Sequence, residues 1–274
     1  MSVIFIPQSH TYKSIEDSEN IEWTSVTSVV SKFKEKFDAE AIAAKSSKNK
    51  KSKWYGMTAN DIMLAWEGEA QKAINLGSWY HDQREADLLE FSTISRKGKE
   101  VPIIRPITKD GVKYAPNQKL TDGVYPEHMV YLKSAGICGQ SDRVEVIDGF
   151  VHVSDYKTNK EIKTESYTNW EGISKKMQSP LQHLDDCNFY HYALQLSIYM
   201  YIILKHNPKL KYGSMTIEHI IFATDGTDEY HNRILRFDAN HDPIIEDVVT
   251  YDVPYLKEEV ITLINYLKEN GQTK

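Results

Sequence analysis

Asp142, Asp155 and Lys157 are the residues of this chain whose types and spacing are best suited to catalysis. Carboxylate oxygens bind hard divalent cations such as Mg²⁺, and a lysine beside such an ion can steady a phosphate or a water molecule. The three residues therefore predict metal-dependent phosphodiester chemistry if the fold brings them together. A D-x-K sequence found alone is more often a pair of solvated strand-end groups. The surrounding elements must therefore show whether these residues form a catalytic cluster or lie apart at the surface.

The two aspartates lie on runs of alternating apolar and polar residues, 139–147 and 150–157, which are separated by Asp148-Gly149. This dipeptide predicts a two-residue β-hairpin loop, because both central positions of a type I′ turn need positive φ. The pairing then sets Asp142 directly opposite Asp155, with Cβ atoms roughly 5 Å apart. Two carboxylates at that distance repel by about 3 kcal/mol at an effective dielectric constant near 20, so the pairing favours a cation between them.

The same face of the predicted hairpin carries an apolar patch. Side chains alternate between the two faces of a strand, so Val144, Val146, Val151 and Val153 share the face of the two aspartates, and Lys157 lies just beyond them. We therefore expect a sheet face that changes from packed valines to a cluster of charged groups at its end.

Four short motifs give the chain a resemblance to a known family. Gly139-Gln140-Ser141-Asp142 followed by Asp155-Tyr156-Lys157 resembles the G-x-x-D and D-x-K signature of the PD-(D/E)XK nuclease superfamily. Gly77-Ser78-Trp79-Tyr80-His81 is similar to the G-[TS]-x-x-H motif of its RecB-like branch, and Gln195-Leu196-Ser197-Ile198-Tyr199 is similar to that branch's Q-x-x-x-Y motif. The motifs follow the family's order, and the chain resembles the phage-encoded exonucleases and the mitochondrial genome maintenance exonuclease of this branch.

The resemblance implies a metal site and a set of catalytic residues. Asp142, Asp155 and Lys157 would be catalytic, and His81, Asp142, Asp155 and the main-chain carbonyl of Tyr156 would hold one or two Mg²⁺ or Mn²⁺ ions. Imidazole makes Mn²⁺ an acceptable ion. The metal would polarise the scissile phosphate and activate a water molecule, while Lys157 orients that water.

A fold follows from the order of the predicted elements. A helix precedes three meander strands at about 127–133, 137–147 and 150–157, and a helix and a further strand follow them. This order predicts the α/β class, with a mixed central β-sheet flanked by helices. The resemblance implies a restriction-endonuclease-like core of αβββαβ order with peripheral additions.

The position of His81 depends on a predicted break in a helix. Gly77 is expected to end a helix that begins at Thr58, and Ser78 is expected to cap the start of a second helix. His81 would then lie in the first turn, where the helix dipole favours the neutral, metal-binding imidazole. Glu85 lies one turn further along the same face, where it either contacts substrate through water or is an ordinary surface glutamate.

Gln195 and Tyr199 are candidates for substrate binding. A helix is predicted from Ser179 to about Leu204, with a break at Asp185-Asp186-Cys187-Asn188 left open, and it puts the two residues at positions i and i+4 on one face. Taken alone, such a pair is more often part of a core edge. The resemblance implies that both residues lie near the metal and position the phosphate backbone.

The chain is predicted to form a single nuclease domain over residues 1–274. The core would span about 58–223, with an N-terminal extension over 1–57 and a C-terminal strand and helix over 224–274. The lysine-rich segment 45–53 has the composition of a flexible linker, and contact of its lysines with phosphate is the alternative that stays open.

Composition excludes several classes of protein. No apolar run approaches the length of a membrane span, and the N-terminus lacks the features of a signal peptide, so a cytoplasmic location is expected, in the host if the chain is phage-encoded. The only two cysteines, Cys138 and Cys187, cannot form the four-cysteine iron–sulfur cluster of several RecB-like nucleases. A net charge of −6 predicts weak, salt-sensitive binding to nucleic acid.

These observations predict a metal-dependent deoxyribonuclease, most simply an exonuclease in phage or host DNA replication, recombination or repair. Its partner would be DNA that is single-stranded or has free ends, together with replication or recombination proteins. Two alternatives remain open: a structure-selective endonuclease, and a non-catalytic DNA-binding subunit that keeps the nuclease fold.

Overall fold

The computed structural model describes residues 3–15 and 21–269 and has a mixed α/β architecture. The predicted α/β class is therefore confirmed. The elements in chain order are β1 (Val3–Ile6), β2 (Thr11–Ser14), β3 (Thr24–Ser25), α1 (Val26–Ser31), α2 (Ala39–Lys48), α3 (Ala59–Leu89), β4 (Thr93–Arg96), β5 (Lys99–Pro102), β6 (Ile107–Lys109), β7 (Val112–Tyr114), β8 (Gly123–Leu132), β9 (Ile137–Ile147), β10 (Phe150–Lys157), α4 (Asn188–His206), β11 (Lys211–Phe222), β12 (Thr224–Thr227), β13 (Arg233–Leu235), β14 (Ile245–Asp252) and α5 (Lys257–Glu269).

A mixed six-stranded sheet forms the centre of the fold. Its order is β14-β11-β10-β9-β3, and β8 pairs with β9 as well. The pairs β8–β9, β9–β10 and β11–β14 are antiparallel, whereas β10–β11 and β3–β9 are parallel. The helix α4 makes the crossover between the parallel neighbours β10 and β11, as such connections require. A separate four-stranded sheet has the order β2-β1-β7-β6.

The predicted hairpin is confirmed in its loop and its register. Phe150 pairs with Ile147, and the pairing continues to Ser154 with Arg143. The loop residues Asp148 and Gly149 have φ values of 53° and 78°, the positive values that a type I′ turn needs.

The helix α4 covers one face of the hairpin. Val144, Val146, Val151 and Val153 are fully buried on that face, as the alternation predicted. The helix contributes eight buried residues to the same core cluster. Full burial of each aliphatic side chain contributes roughly 1.5–3 kcal/mol, so this apolar layer fixes the strands that carry the acidic end of the face.

The predicted helix break at Gly77 is wrong. The helix α3 runs without interruption from Ala59 to Leu89, and the Thr58 side chain caps its start by accepting a hydrogen bond of 3.1 Å from the Asp61 N–H. A glycine inside a helix costs only about 1 kcal/mol. Packing against neighbouring segments outweighs that cost, and an added Cβ at Gly77 would lie 3.5 Å from Thr158 Oγ1.

The helix predicted from Ser179 is also wrong at its start, because α4 begins only at Asn188. The preceding residues form a folded loop in which the Leu181 N–H bonds the Gln178 carbonyl and the Met177 N–H bonds the Leu184 carbonyl. Three buried side chains hold this loop against the core, namely Met177, Leu181 and Leu184. Local capping signals do not report such contacts, so they could not predict the loop.

The lysine-rich segment 45–53 is folded and does not form a linker. Its first part belongs to α2, which Asp38 caps through a 3.0 Å hydrogen bond from the Ala41 N–H. The following turns lead to Trp54, which is buried and stacks on Tyr230 with ring centroids 5.1 Å apart. Within the described residues, no helix combines the length and apolar character needed to cross a membrane.

Candidate metal centre

Three neighbouring strands place three carboxylates side by side. The β8–β9 register on both sides of Glu127 sets this residue opposite Asp142. Continuing the hairpin pairing by one position beyond Ser154 and Arg143 sets Asp155 on the other side of Asp142. The row therefore lies at one level of the central sheet, at the end of the valine layer.

His81 reaches this row from α3. Its Nδ1 lies 3.4 Å from Asp142 Oδ1 and 3.8 Å from Glu127 Oε1. One ligand atom from each of the three residues lies within 4.8 Å of the others. An imidazole and two carboxylates at this spacing suit a divalent ion that accepts oxygen and nitrogen ligands.

Glu127 is the site residue that sequence reasoning missed, because it was treated only as the start of a strand. Its φ of 49° lies in the left-handed region, which non-glycine residues rarely adopt and which occurs often at functional sites. Its side chain accepts a hydrogen bond from Gln140 Nε2. The nearest sequence signal was an acidic residue inside an otherwise apolar strand.

Asp155 and Lys157 meet as predicted. Lys157 Nζ forms an ion pair with Asp155 Oδ2 and lies 4.7 Å from the ring centroid of Tyr192. The N–H of Tyr156, between them on β10, donates a 2.7 Å hydrogen bond to Asp142 Oδ2. This bond fixes the Asp142 carboxylate, while a ligand role for the Tyr156 carbonyl stays a prediction.

Gln195 and Tyr199 project from α4 onto the same row. Gln195 Nε2 donates a 3.3 Å hydrogen bond to Asp155 Oδ1 and a 3.4 Å bond to the Tyr199 hydroxyl oxygen. Tyr199 packs against the backbone of Gly139, where an added Cβ would lie 2.8 Å from Tyr199 Cε1. The two residues therefore orient Asp155 and line the site.

Glu85 lies further out. Its Oε2 forms a 3.4 Å ion pair with Lys113 Nζ, and the candidate metal-binding group of His81, Glu127 and Asp142 does not include it. Glu85 thus pairs with the ammonium group of Lys113, and a direct role toward substrate stays a prediction.

Burial opposes ionisation of all three carboxylates, but their neighbours give the three pKa values different directions. Burial and the charge of Asp142 raise the pKa of Asp155 to about 6, although Lys157 acts in the opposite direction. Burial also raises the pKa of Glu127. Burial opposes the charge on Asp142 too, but His81 and Lys157 outweigh it and lower the pKa of Asp142. A divalent cation would relieve this concentration of negative charge.

The neutral imidazole expected for His81 is contradicted. Burial disfavours its charged form, but Asp142 and Glu127 outweigh burial and raise the pKa of His81 to about 10. The dipole argument does not apply, because His81 lies inside α3 and not in its first turn. A metal bound at His81 must displace this proton.

The carboxylate row opens into a cleft of about 600 Å³. One side of the cleft carries the candidate metal-binding group, Lys157, and Gln195 and Tyr199 of α4. The other side is formed by the four-stranded sheet through residues of β1, β2 and β7 and the turn between the first two strands.

Comparison of the chain with protein families, with curated protein sequences and with solved structures gives no significant match. The arrangement of the side chains in the cleft therefore carries the functional argument.

Proposed function

We propose that this protein is a metal-dependent deoxyribonuclease, most simply an exonuclease in DNA replication, recombination or repair. The observation that carries the proposal is the row of Glu127, Asp142 and Asp155 on three adjacent strands, with His81 and Lys157 beside it. Few structural roles explain three carboxylates at one level of a buried sheet, since each adds to the repulsion on the others.

The donor set fits Mg²⁺ or Mn²⁺. Both ions accept carboxylate oxygens, and Mg²⁺ commonly binds one or two carboxylates together with substrate phosphates. His81, Glu127 and Asp142 would hold the ion, and Asp155 extends the set toward Lys157. When bound, such an ion polarises the scissile phosphate and lowers the pKa of a coordinated water.

Side chains beside the ion would position the water and the phosphate and stabilise the charge that develops during hydrolysis. Asp155 and Asp142 raise the pKa of Lys157 against the opposing effect of burial, so its ammonium group stays charged and can orient a water and stabilise charge on the phosphate. Gln195 holds Asp155 in place. The Tyr199 phenol keeps its proton, because burial and Asp155 raise its pKa, and it can donate a hydrogen bond to a phosphate oxygen.

The order of the elements supports a restriction-endonuclease-like core as part of this proposal. The succession α3, β8, β9, β10, α4 and β11 agrees with the αβββαβ order of that fold. The four motifs of the sequence lie on α3, β9, β10 and α4, and they converge on one cleft.

The decisive experiment uses end-labelled linear DNA with Mg²⁺ or Mn²⁺, in the wild-type protein and in the Asp142→Asn and Lys157→Met variants. We expect the wild type to degrade linear DNA and both variants to lose at least about 10²-fold in rate, since each removes electrostatic stabilisation of the transition state. Asp148→Asn is the matched control, because Asp148 lies on the same hairpin but in its exposed loop. Full activity of either site variant would refute the mechanism.

Covalently closed circular DNA separates the alternatives. An exonuclease leaves it intact because it offers no ends, whereas cleavage of the circle would assign a structure-selective endonuclease. Binding of DNA without hydrolysis in Mn²⁺ would assign a non-catalytic subunit and refute the proposed function.

A further inference from the structure

The face of the central sheet opposite the carboxylate row carries a network of polar side chains. Side chains alternate between the two faces of a strand, so Arg143 and Tyr156 lie on the other face from their neighbours Asp142 and Asp155. Tyr156 is buried. Arg143 Nη1 donates a 3.1 Å hydrogen bond to the Tyr156 hydroxyl oxygen, and the guanidinium carbon lies 5.7 Å from the centroid of that ring.

Arg143 is itself fixed by residues of three strands. Its Nη2 donates hydrogen bonds of 2.6 Å to Glu218 Oε1 on β11 and 3.2 Å to Ser154 Oγ on β10. Its Nε lies 3.4 Å from Glu145 Oε1 on β9. A guanidinium group presents its donors in a rigid planar fork, so these acceptors leave the bond to the Tyr156 hydroxyl a single direction.

Tyr156 contacts both the histidine and a carboxylate of the candidate metal centre. Its ring meets the His81 ring edge-on, with centroids 5.8 Å apart and an angle of 84° between the planes. It meets Tyr80, the preceding residue of α3, in the same way at 5.5 Å. Its main-chain N–H donates a 2.7 Å hydrogen bond to Asp142 Oδ2. Tyr156 therefore links the position of α3 to the position of the carboxylate row.

His81 has no other polar group to orient it. Among the described residues, the polar partners of its ring are Asp142 and Glu127, which belong to the candidate metal-binding group themselves. A histidine that binds a metal is usually oriented by a hydrogen bond from its other ring nitrogen to a group outside the ligand set. Here the contact with the Tyr156 ring takes the place of that bond.

We infer that Arg143 is a positioning residue of the metal centre, because it fixes the Tyr156 ring that holds His81 at the distance from Asp142 at which both can bind one divalent cation. This inference rests on the metal site of the proposed function. It assigns Arg143 no contact with the ion or with substrate.

The test measures the affinity for Mn²⁺ alone, from the electron paramagnetic resonance signal of the free ion. Arg143→Lys keeps the positive charge but loses the planar fork. We expect it to weaken Mn²⁺ binding by about 10- to 100-fold, the usual effect of removing a group that orients a metal ligand. Tyr156→Phe keeps the ring and removes the hydroxyl that Arg143 binds, so it should weaken binding in the same direction. The double variant should bind no more weakly than the weaker single variant.

The same measurements in a His81→Ala background show whether Arg143 acts through the histidine. Glu127 and Asp142 remain as ligands, so a titration continued to millimolar Mn²⁺ measures the residual site. We expect Arg143→Lys to have no further effect there, because the side chain that it positions is gone. An equal loss in both backgrounds would overturn the inference.

A second measurement needs no metal. The nuclear magnetic resonance signals of the His81 ring protons depend on the neighbouring Tyr156 ring, because an aromatic ring shifts the resonances of nearby protons. Arg143→Lys and Tyr156→Phe should both move these signals in the metal-free protein. Signals that stay at their wild-type positions would overturn the positioning role.

Arg96→Lys is the matched control. Arg96 also forms a two-point ion pair on this side of the sheet, with 2.9 Å and 2.8 Å hydrogen bonds to Glu145, but it donates none to Tyr156. It should lower the urea midpoint and leave both the Mn²⁺ affinity and the His81 signals at their wild-type values. A loss of Mn²⁺ affinity equal to that of Arg143→Lys would indicate a general effect of the sheet and overturn the inference.

The outcomes separate this inference from the proposed function. Wild-type Mn²⁺ affinity in Arg143→Lys would overturn the positioning role even if the protein cleaves DNA. A loss of Mn²⁺ affinity that depends on His81, in a protein that never cleaves DNA, would support the positioning role and refute the nuclease. A wild-type protein that binds no Mn²⁺ would overturn both.

Discussion

Replacement of Gly139 by alanine tests whether Tyr199 is fixed against the hairpin. The new Cβ would lie 2.8 Å from Tyr199 Cε1 and 3.0 Å from Val26 Cγ2. Both neighbours are buried, with exposures of 2% and 0%, so neither ring nor methyl group can move into solvent without leaving the core. The substitution therefore overfills a packed site between α1, β9 and α4.

The magnitude follows from two opposing effects. Overfilling a core costs typically 1–3 kcal/mol, while replacing glycine inside a strand recovers about 0.5–1 kcal/mol of backbone entropy. We expect Gly139→Ala to lower the free energy of unfolding by about 1–2 kcal/mol. Because the displaced ring is that of Tyr199, the variant should also lose the proposed nuclease activity beyond what its stability explains.

Gly68→Ala is the matched control. Gly68 lies inside α3, and nothing lies within 4 Å of an added Cβ, so the same chemical change should stabilise the protein by about 1 kcal/mol through helix propensity. Urea unfolding at an unchanged denaturant slope gives both values. A Gly139→Ala protein as stable as Gly68→Ala would refute the packing argument. Tyr199→Leu in the Gly139→Ala background should restore part of the lost stability, because the smaller side chain makes room for the new Cβ.

Two further predictions concern stability. Trp54 is 6% exposed, and we expect Trp54→Ala to lower the free energy of unfolding by about 3–5 kcal/mol. Trp170 is 91% exposed, and Trp170→Ala should change the free energy of unfolding by no more than about 0.5 kcal/mol. Urea unfolding of both variants measures these values. Burial opposes ionisation of Glu145, but its hydrogen bonds to Arg96 outweigh this effect and lower its pKa below 4.5. Its contribution is therefore present above pH 4.5 and is lost as the pH falls through the lowered pKa. The stability difference between wild type and Glu145→Gln, followed by urea midpoints against pH, should shrink in acid; a constant difference would contradict this assignment.

The hairpin and its acidic end could be predicted because the information is local. The loop dipeptide sets the register of adjacent strands, and that register alone places Asp142 beside Asp155. Each step depends on residues within a short stretch of chain, where turn chemistry and side-chain alternation dominate.

The third carboxylate could not be predicted in the same way. The connection between β8 and β9 is a 3₁₀ turn over Lys133–Ala135 that ends at Gly136, and it carries no dipeptide signal that fixes the pairing. The left-handed backbone of Glu127 depends on its surroundings in the sheet and not on its residue type. An acidic residue inside an apolar strand is only a weak indication of a site.

The side of the cleft formed by the four-stranded sheet depends on pairing between strands that are far apart in the sequence. Ile4 on β1 pairs with Tyr114 on β7, and no local pattern joins segments so far apart in the sequence. The helix break at Gly77 failed for a related reason, since local propensity of about 1 kcal/mol was weighed without the packing that opposes it. Sequence reasoning therefore identified the side chains on one side of the cleft and missed the opposite wall.

The way in which the carboxylates are held supports the proposed metal site, because protein groups already fix their positions. Asp142 accepts the Tyr156 N–H at 2.7 Å, Asp155 accepts the Gln195 amide at 3.3 Å, and the valine layer fixes the strands beneath them. These donors orient the oxygens without neutralising them, since burial and Asp142 still raise the pKa of Asp155 to about 6. Rigid elements thus bring three carboxylates to one point, where His81 and Lys157 balance part of their charge. A fold that only needed stability would gain from apolar residues there, and this cost supports the proposed binding of a cation.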